Sequence, residues 1–281
     1  MINLLQGMAG KLTDRWLSAI TLPGLGFLLA LAAAHLLGHA RWADLGLLLA
    51  RLVFVWSGDA PMAAVRIAAG LLAAAGFGAI AGVLAKGLLP VWLGAGPPWP
   101  SGMARARTER RSKRWAAADQ ATEKAVGPDL VRAVARRNRQ ALAAPERPTW
   151  MGTQIAAVAT RTRNAYGLEP EAAWPRLLLS LPAEVRVLLT AAYARLDGAA
   201  RCQAWGLMLL PVGAWWWPAL GVGAALAVIG WARGRTATRA LADLAEATID
   251  LYVADLVDRM TKEIDRGQAR VAGERMGKFA Y

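Results

Sequence analysis

The sequence predicts an all-α fold, an integral membrane helical bundle carrying a cytoplasmic helical domain. Three observations carry that prediction. Residues 204–233 run AWGLMLLPVGAWWWPALGVGAALAVIGWAR, with no formal charge between Trp205 and Trp231, which is long and apolar enough for a membrane segment. Two further apolar runs lie within the first 93 residues. Between these regions, proline-punctuated amphipathic stretches hold most of a formal net charge of +13. Hydrophobic residues make up 56% of the 281, which fits a membrane bundle plus one modest polar module.

Residues 1–93 read as an N-terminal membrane region. A short amphipathic lead-in ends in Lys11, Asp14 and Arg15, and residues 17–37 then run uncharged between Trp16 and Trp42, a first span with interfacial tryptophans. The run is longer than a signal-peptide core of about 7–15 residues, so it reads as an uncleaved anchor. Residues 45–56 are apolar but short and interrupted by Arg51, the pattern of an interfacial helix; Ser57, Gly58, Asp59 and Pro61 then make a turn. A second span covers residues 64–89. In it Gly70, Ala74, Gly78 and Gly82 recur every four residues, and Gly26, Ala30, Ala34 and Gly38 do so in the first span. Both read as small-residue ridges for close helix packing, on each other or on copies of themselves. Lys86 and Arg66, near opposite ends of the second span, read as snorkelling side chains.

Residues 94–102, GAGPPWPSG, break the helix and open a basic domain spanning 94–201. Arg105, Arg107, Arg110, Arg111, Lys113 and Arg114 follow at once, with Glu109 the only acid among them. The positive-inside rule places this cluster, and with it the N-terminus, in the cytoplasm. Between residues 103 and 201 there are 18 Lys plus Arg against 9 Asp plus Glu. Helices are predicted over 115–126, over 128–143 with Pro128 at the first position, over 151–166 stopped by Gly167, and from 182 onward, with a short turn at 174–181. Arg132, Arg136 and Arg139 share one face of the second of these, a surface for lipid phosphates or an acidic protein partner.

The uncharged stretch admits two routes, taken here as residues 202–233. One continuous helix would be about 40 Å long, would have to tilt, and would bury Trp215, Trp216 and Trp217 near the bilayer centre. A helical hairpin instead puts those tryptophans at the far interface, Trp205 and Trp231 at the near one, Pro218 at the start of the returning helix, and arginines (Arg201; Arg233, Arg235, Arg239) on both flanks. The hairpin is preferred, against the objection that each arm is short. It also returns residues 234–281 to the basic side. Between 240 and 265 that segment carries seven acids against Arg259 and Lys262, and Leu241, Ala245, Ile249, Tyr252, Leu256, Met260 and Ile264 form a helical stripe suited to pack on the basic domain.

Catalytic patterns are missing from the sequence. No GxSxG, Walker A, GxGxxG, HExxH or CxxC occurs, and His35 and His39, four apart, make at most half a metal site. Cys202 stands alone as a small apolar residue. No cofactor and no metal are expected, nor an enzyme. The composition, rich in Ala, Arg, Gly and Leu, suggests a bacterial source. The segments RTRNAYGLEPEAAWPRLLLSLP (161–182), WWWP and RALADLAEATIDLYVADL (239–256) resemble uncharacterised multi-span membrane proteins of actinobacteria over roughly residues 150–256. That resemblance implies an all-helical fold with an internal C-terminus and no particular activity. The expectation is therefore a non-enzymatic, multi-pass scaffold, sensor or effector subunit of the bacterial inner membrane that couples a cytoplasmic partner to anionic lipid. The alternative is a small self-associating channel or pore. Nucleic acid is disfavoured as a partner, since basic loops of membrane proteins commonly face anionic lipid.

Overall fold

The computed structural model describes residues 22–56, 60–94, 101–141, 144–167 and 170–278. All of their regular structure is helical: α1 (Leu22–Leu37), α2 (Leu45–Trp56), α3 (Ala60–Leu93), α4 (Ser101–Lys124), α5 (Pro128–Gln140), α6 (Trp150–Tyr166), α7 (Pro170–Ser180), α8 (Ala183–Val212) and α9 (Trp217–Lys278). The chain divides into two compact units, Met1–Pro90 with Arg195–Arg235, and Val91–Ala194 with Thr236–Tyr281. Among the described residues one helix is long and apolar enough to cross a membrane, Pro61–Leu93. The expected lead-in, the start of the first span (17–21), the turn at 57–59 and most of the break after Gly94 (95–100) lie outside the described residues.

In the first unit, α1 ends where Gly38 adopts φ +57. Asp44 then caps α2 by accepting from the Leu47 backbone N–H at 2.9 Å, which starts the short apolar helix at its expected residue. The core joins Phe27 and Ala34 of α1 to Leu209 and Val212 of α8 and Ala219 of α9, with Phe77 and Trp205 packed around them. The uncharged stretch is a hairpin: α8 stops at Val212, the chain turns through Gly213–Trp216, and α9 returns. Glycines let the two arms touch backbone to backbone. A Cβ at Gly206 would sit 2.5 Å from the Ala227 nitrogen, and one at Gly230 would sit 2.5 Å from the Gln203 nitrogen.

The small-residue ridges sit differently from the sequence expectation. On α3 the buried positions are Ala74, Gly78, Ala81, Ala85 and, at its end, Trp92, while Gly70 and Gly82 are half-buried and a Cβ at either would meet nothing. On α1 it is Gly24 that touches α3, its Cβ position overlapping the Ala74 carbonyl, whereas Gly26 is exposed and Ala30 only partly buried. The reason is helical geometry. A constant step of four rotates by about 40° each time around a helix of 3.6 residues per turn, whereas alternating steps of four and three stay on one face.

In the second unit, Val158 of α6, Leu177 of α7, Leu181, Leu189 of α8, and Ala242, Ile249 and Val253 of α9 form one core. Each large member contributes roughly 1.5–3 kcal/mol by leaving water. The acidic segment thus packs on the basic one through Ile249 and Tyr252 of the predicted stripe, with Ala242 and Val253 beside them; Leu241 and Ala245 are half-buried, and the side chains of Leu256, Met260 and Ile264 lie outside the described ones. Arg161 Nη2 meets Glu246 Oε2 at 2.6 Å and Tyr166 Oη donates to Asp250 Oδ1 at 2.9 Å across the same seam. Residues 170–180 form a helix rather than the expected turn, because Pro170 suits a first helical position and the buried Leu177 rewards helical register. No break follows Arg233 either, since α9 is one helix to Lys278.

Candidate functional site

Helices α4 and α5 form a second hairpin, turned at Gly127 (φ +63) with Pro128 opening α5. Helix α4 starts at Ser101, so the basic run that preceded the predicted helix is itself helical. Arginine, lysine and glutamate are good helix formers, and Glu109 pairs with Lys113 one turn on at 3.1 Å. Neither helix buries a residue. What joins them is polar: Arg137 Nη1 to Asp119 Oδ1 at 2.9 Å, and Trp115 Nε1 donating to the Ala141 carbonyl at 2.9 Å.

The arginines fall into two sets. Arg107, Arg110, Arg111 and Arg114 stand at steps of three, one and three on α4, and with Met103 and Ala106 they line an open groove of about 630 Å³. A smaller adjoining groove of about 340 Å³ is lined by Arg111, Arg114, Gln140 and Pro145. Arg111 is half-buried and donates to the Pro148 carbonyl at 3.4 Å. Burial, and next the charge of Arg107, hold its pKa below the ordinary guanidinium value. Arg105 is exposed nearby. On α5, Arg132, Arg136 and Arg139 are all exposed, and Arg132 reaches Asp129 at 3.3 Å in a solvent-facing pair. Val126 and Val131, 83% and 71% exposed, put apolar surface at the hairpin tip. Guanidinium groups donate and never accept, so this surface suits anions with several oxygens.

The other expected site residues are dispersed through the first unit. Trp215 and Trp217 are exposed at the α8–α9 turn, where the Trp217 ring packs tilted against Trp42 with centroids 4.9 Å apart and Trp216 Nε1 donates to the Trp42 carbonyl at 3.1 Å. Trp231 is exposed under the Arg235 guanidinium, 5.0 Å away. Trp205 is half-buried with its ring 5.8 Å from Phe27. The histidines do not share a helix face, because α1 ends before His39; both are exposed. Arg114, part of the basic run in the sequence, stands with Arg107, Arg110 and Arg111 on the helix; Gln140 escaped the sequence reading, because it comes from 26 residues downstream of Arg114. No protein-family model matches the chain, nor does any curated protein or solved structure.

Proposed function

We propose that this chain is a multi-pass, non-catalytic subunit of the bacterial inner membrane, a scaffold, sensor or effector whose basic helical unit holds a cytoplasmic partner at the membrane. The observation that carries the reading is α3. Only 17% of its most apolar 18-residue window is buried, and Val65, Ile67, Leu72, Ile80 and Val83 face outward. A soluble core helix of that composition would be covered; hydrocarbon is the medium that suits it uncovered. The α8–α9 hairpin supports the same reading. Its unit-1 arms, residues 195–212 and 217–235, are each about 27 Å long at 1.5 Å per residue, close to a bilayer core of about 30 Å. Arg201 is neutralised one turn from Asp197 at 2.8 Å, which lowers the cost of its depth.

The exposed stripe of Arg132, Arg136 and Arg139 is the surface proposed to meet an acidic protein. Membranes washed in alkaline carbonate should retain the protein, and a reporter fused after Tyr281 should be active only in the cytoplasm. Pull-downs should lose a partner when the three arginines become Glu; an unchanged set of partners would sink the scaffold reading. One observation favours a self-associating pore instead: Gly26, Gly70 and Gly82 open onto empty space. Liposomes carrying the pure protein would then leak ions, and Gly70→Leu with Gly82→Leu would seal them.

A further inference from the structure

We propose that the α4 groove of Arg107, Arg110, Arg111 and Arg114 binds the phosphates of an anionic phospholipid headgroup. The proposal rests on the membrane reading above and gives it a ligand.

The first argument is charge density. Four guanidinium groups within two turns extend over about 10 Å of helix, room for more than one phosphate, each held by paired N–H donors. The one acid within the stripe, Glu109, is paired with Lys113 at 3.1 Å. By contrast, on the α5 stripe Arg132 has Asp129 as a neighbour at 3.3 Å.

Position comes second: the last residues of α3, 91–93, belong with the groove to the second unit. Apolar helix α3 ends at Leu93, and Gly94 follows with φ +61 against Pro148; a Cβ there would lie 2.8 Å from the proline Cδ. Thr149 Oγ1 donates to the Trp92 carbonyl, and Gly152 is pressed on the Leu93 carbonyl. Arg111 donates to the carbonyl of that same Pro148. The groove is therefore one hydrogen bond from the residue against which the apolar helix terminates. A helix leaving a bilayer at Leu93 brings headgroups to that level.

The third argument is the mixed chemistry of the wall. Met103, 63% exposed, and Ala106 add an apolar shelf to the guanidinium row, and Gln140 in the adjoining groove offers both donor and acceptor for glycerol hydroxyls. A groove for single-stranded nucleic acid would present aromatic faces, and among the described residues no aromatic lines either groove.

The test uses the full chain in mixed micelles doped with diphosphatidylglycerol, phosphatidylglycerol or phosphatidylcholine, with bound lipid counted by native mass spectrometry. Anionic lipid should bind about tenfold more tightly than the zwitterion. R107Q/R110Q/R114Q, which leaves Arg111 on Pro148, should lose that preference, while R132Q/R136Q/R139Q should keep it. R107K/R110K/R114K retains charge and helix propensity and should lose affinity partway, so the site stays testable if the glutamine variant misfolds. Equal binding of all three lipids, or an unchanged R107Q/R110Q/R114Q, would overturn the site. Inorganic diphosphate or an acidic peptide binding more tightly than any lipid would overturn the lipid assignment. Release of the wild type by alkaline carbonate would instead strike the membrane reading itself; retention without lipid preference would strike the site alone.

Discussion

The two helical hairpins of this chain are built in opposite ways. In α8–α9 the arms touch through Gly206, Gly223 and Gly230, with backbone against backbone. In α4–α5 nothing is buried, and the helices are joined by Arg137 with Asp119 and by the Trp115 indole on Ala141. Glycine contact gives many short-range dispersion contacts along the seam, and the groove of about 370 Å³ on that hairpin is walled by apolar side chains of both arms and of α1, Trp205, Leu209 and Leu226 among them. On α4 the long side chains stay at the surface, where their guanidinium groups line open grooves. The first hairpin is thus a packed wall and the second a surface, and the glycine content of each is what separates them.

The comparison breaks most visibly at Gly206. Gly206→Ile has no space beside Ala227 and Gly223, so it should lose about 3 kcal/mol or more of stability in thermal unfolding of the detergent-solubilised chain. Gly221→Ala, which meets nothing, should be neutral or gain up to about 1 kcal/mol. Matching losses from both would end the claim of a close-packed seam. Next in size is Thr149→Ala. Thr149 caps α6 by accepting from the Gly152 N–H at 3.0 Å and also donates to Trp92, so about 1–2 kcal/mol should go.

The polar hairpin should respond weakly. Arg137→Ala and Asp119→Ala in a double-mutant cycle should couple by about 0.5–1 kcal/mol, since both side chains remain roughly a third exposed. A coupling of several kcal/mol would make that joint as stiff as the glycine seam. The smallest effect is at Tyr166. Its hydrogen bond to Asp250, together with the carboxylate charge, raises the phenol pKa above its ordinary value. The neutral phenol is the stabilised form, so its contribution is complete below the unfolded-state pKa and disappears as pH rises through the higher folded one. Ultraviolet titration should show a late-titrating tyrosine that returns to the ordinary value in Asp250→Asn; an unshifted titration in the wild type would remove this contact from the seam.

Local chemistry was legible in the sequence wherever one residue type dictates one conformation. Pro128 opens its helix and Gly167 closes another, with φ +65 and its N–H on the Arg163 carbonyl, at the expected residues. The short apolar helix at Leu45–Trp56 has its expected bounds, and the tryptophan–proline turn of the uncharged stretch lies where the preferred hairpin requires. What the sequence alone determined, then, was helical content, the density of arginine after Leu93 and the glycines spaced for close approach.

Only the tertiary structure decided which of those residues meet. Gly24 rather than Gly26 touches Ala74, because a helix presents a face set by 3.6 residues per turn and the neighbouring backbone selects among faces that look alike in an Ala- and Gly-rich run. Trp205 turned inward to Phe27 because a core position was open to it, a choice that depends on a helix nearly 180 residues away in sequence. The same holds for the arginine groove. Its lining is written in one short run of α4, but the adjoining groove needs Gln140 and Pro145, and Arg111 is held by Pro148, all of which long-range folding brings beside that run.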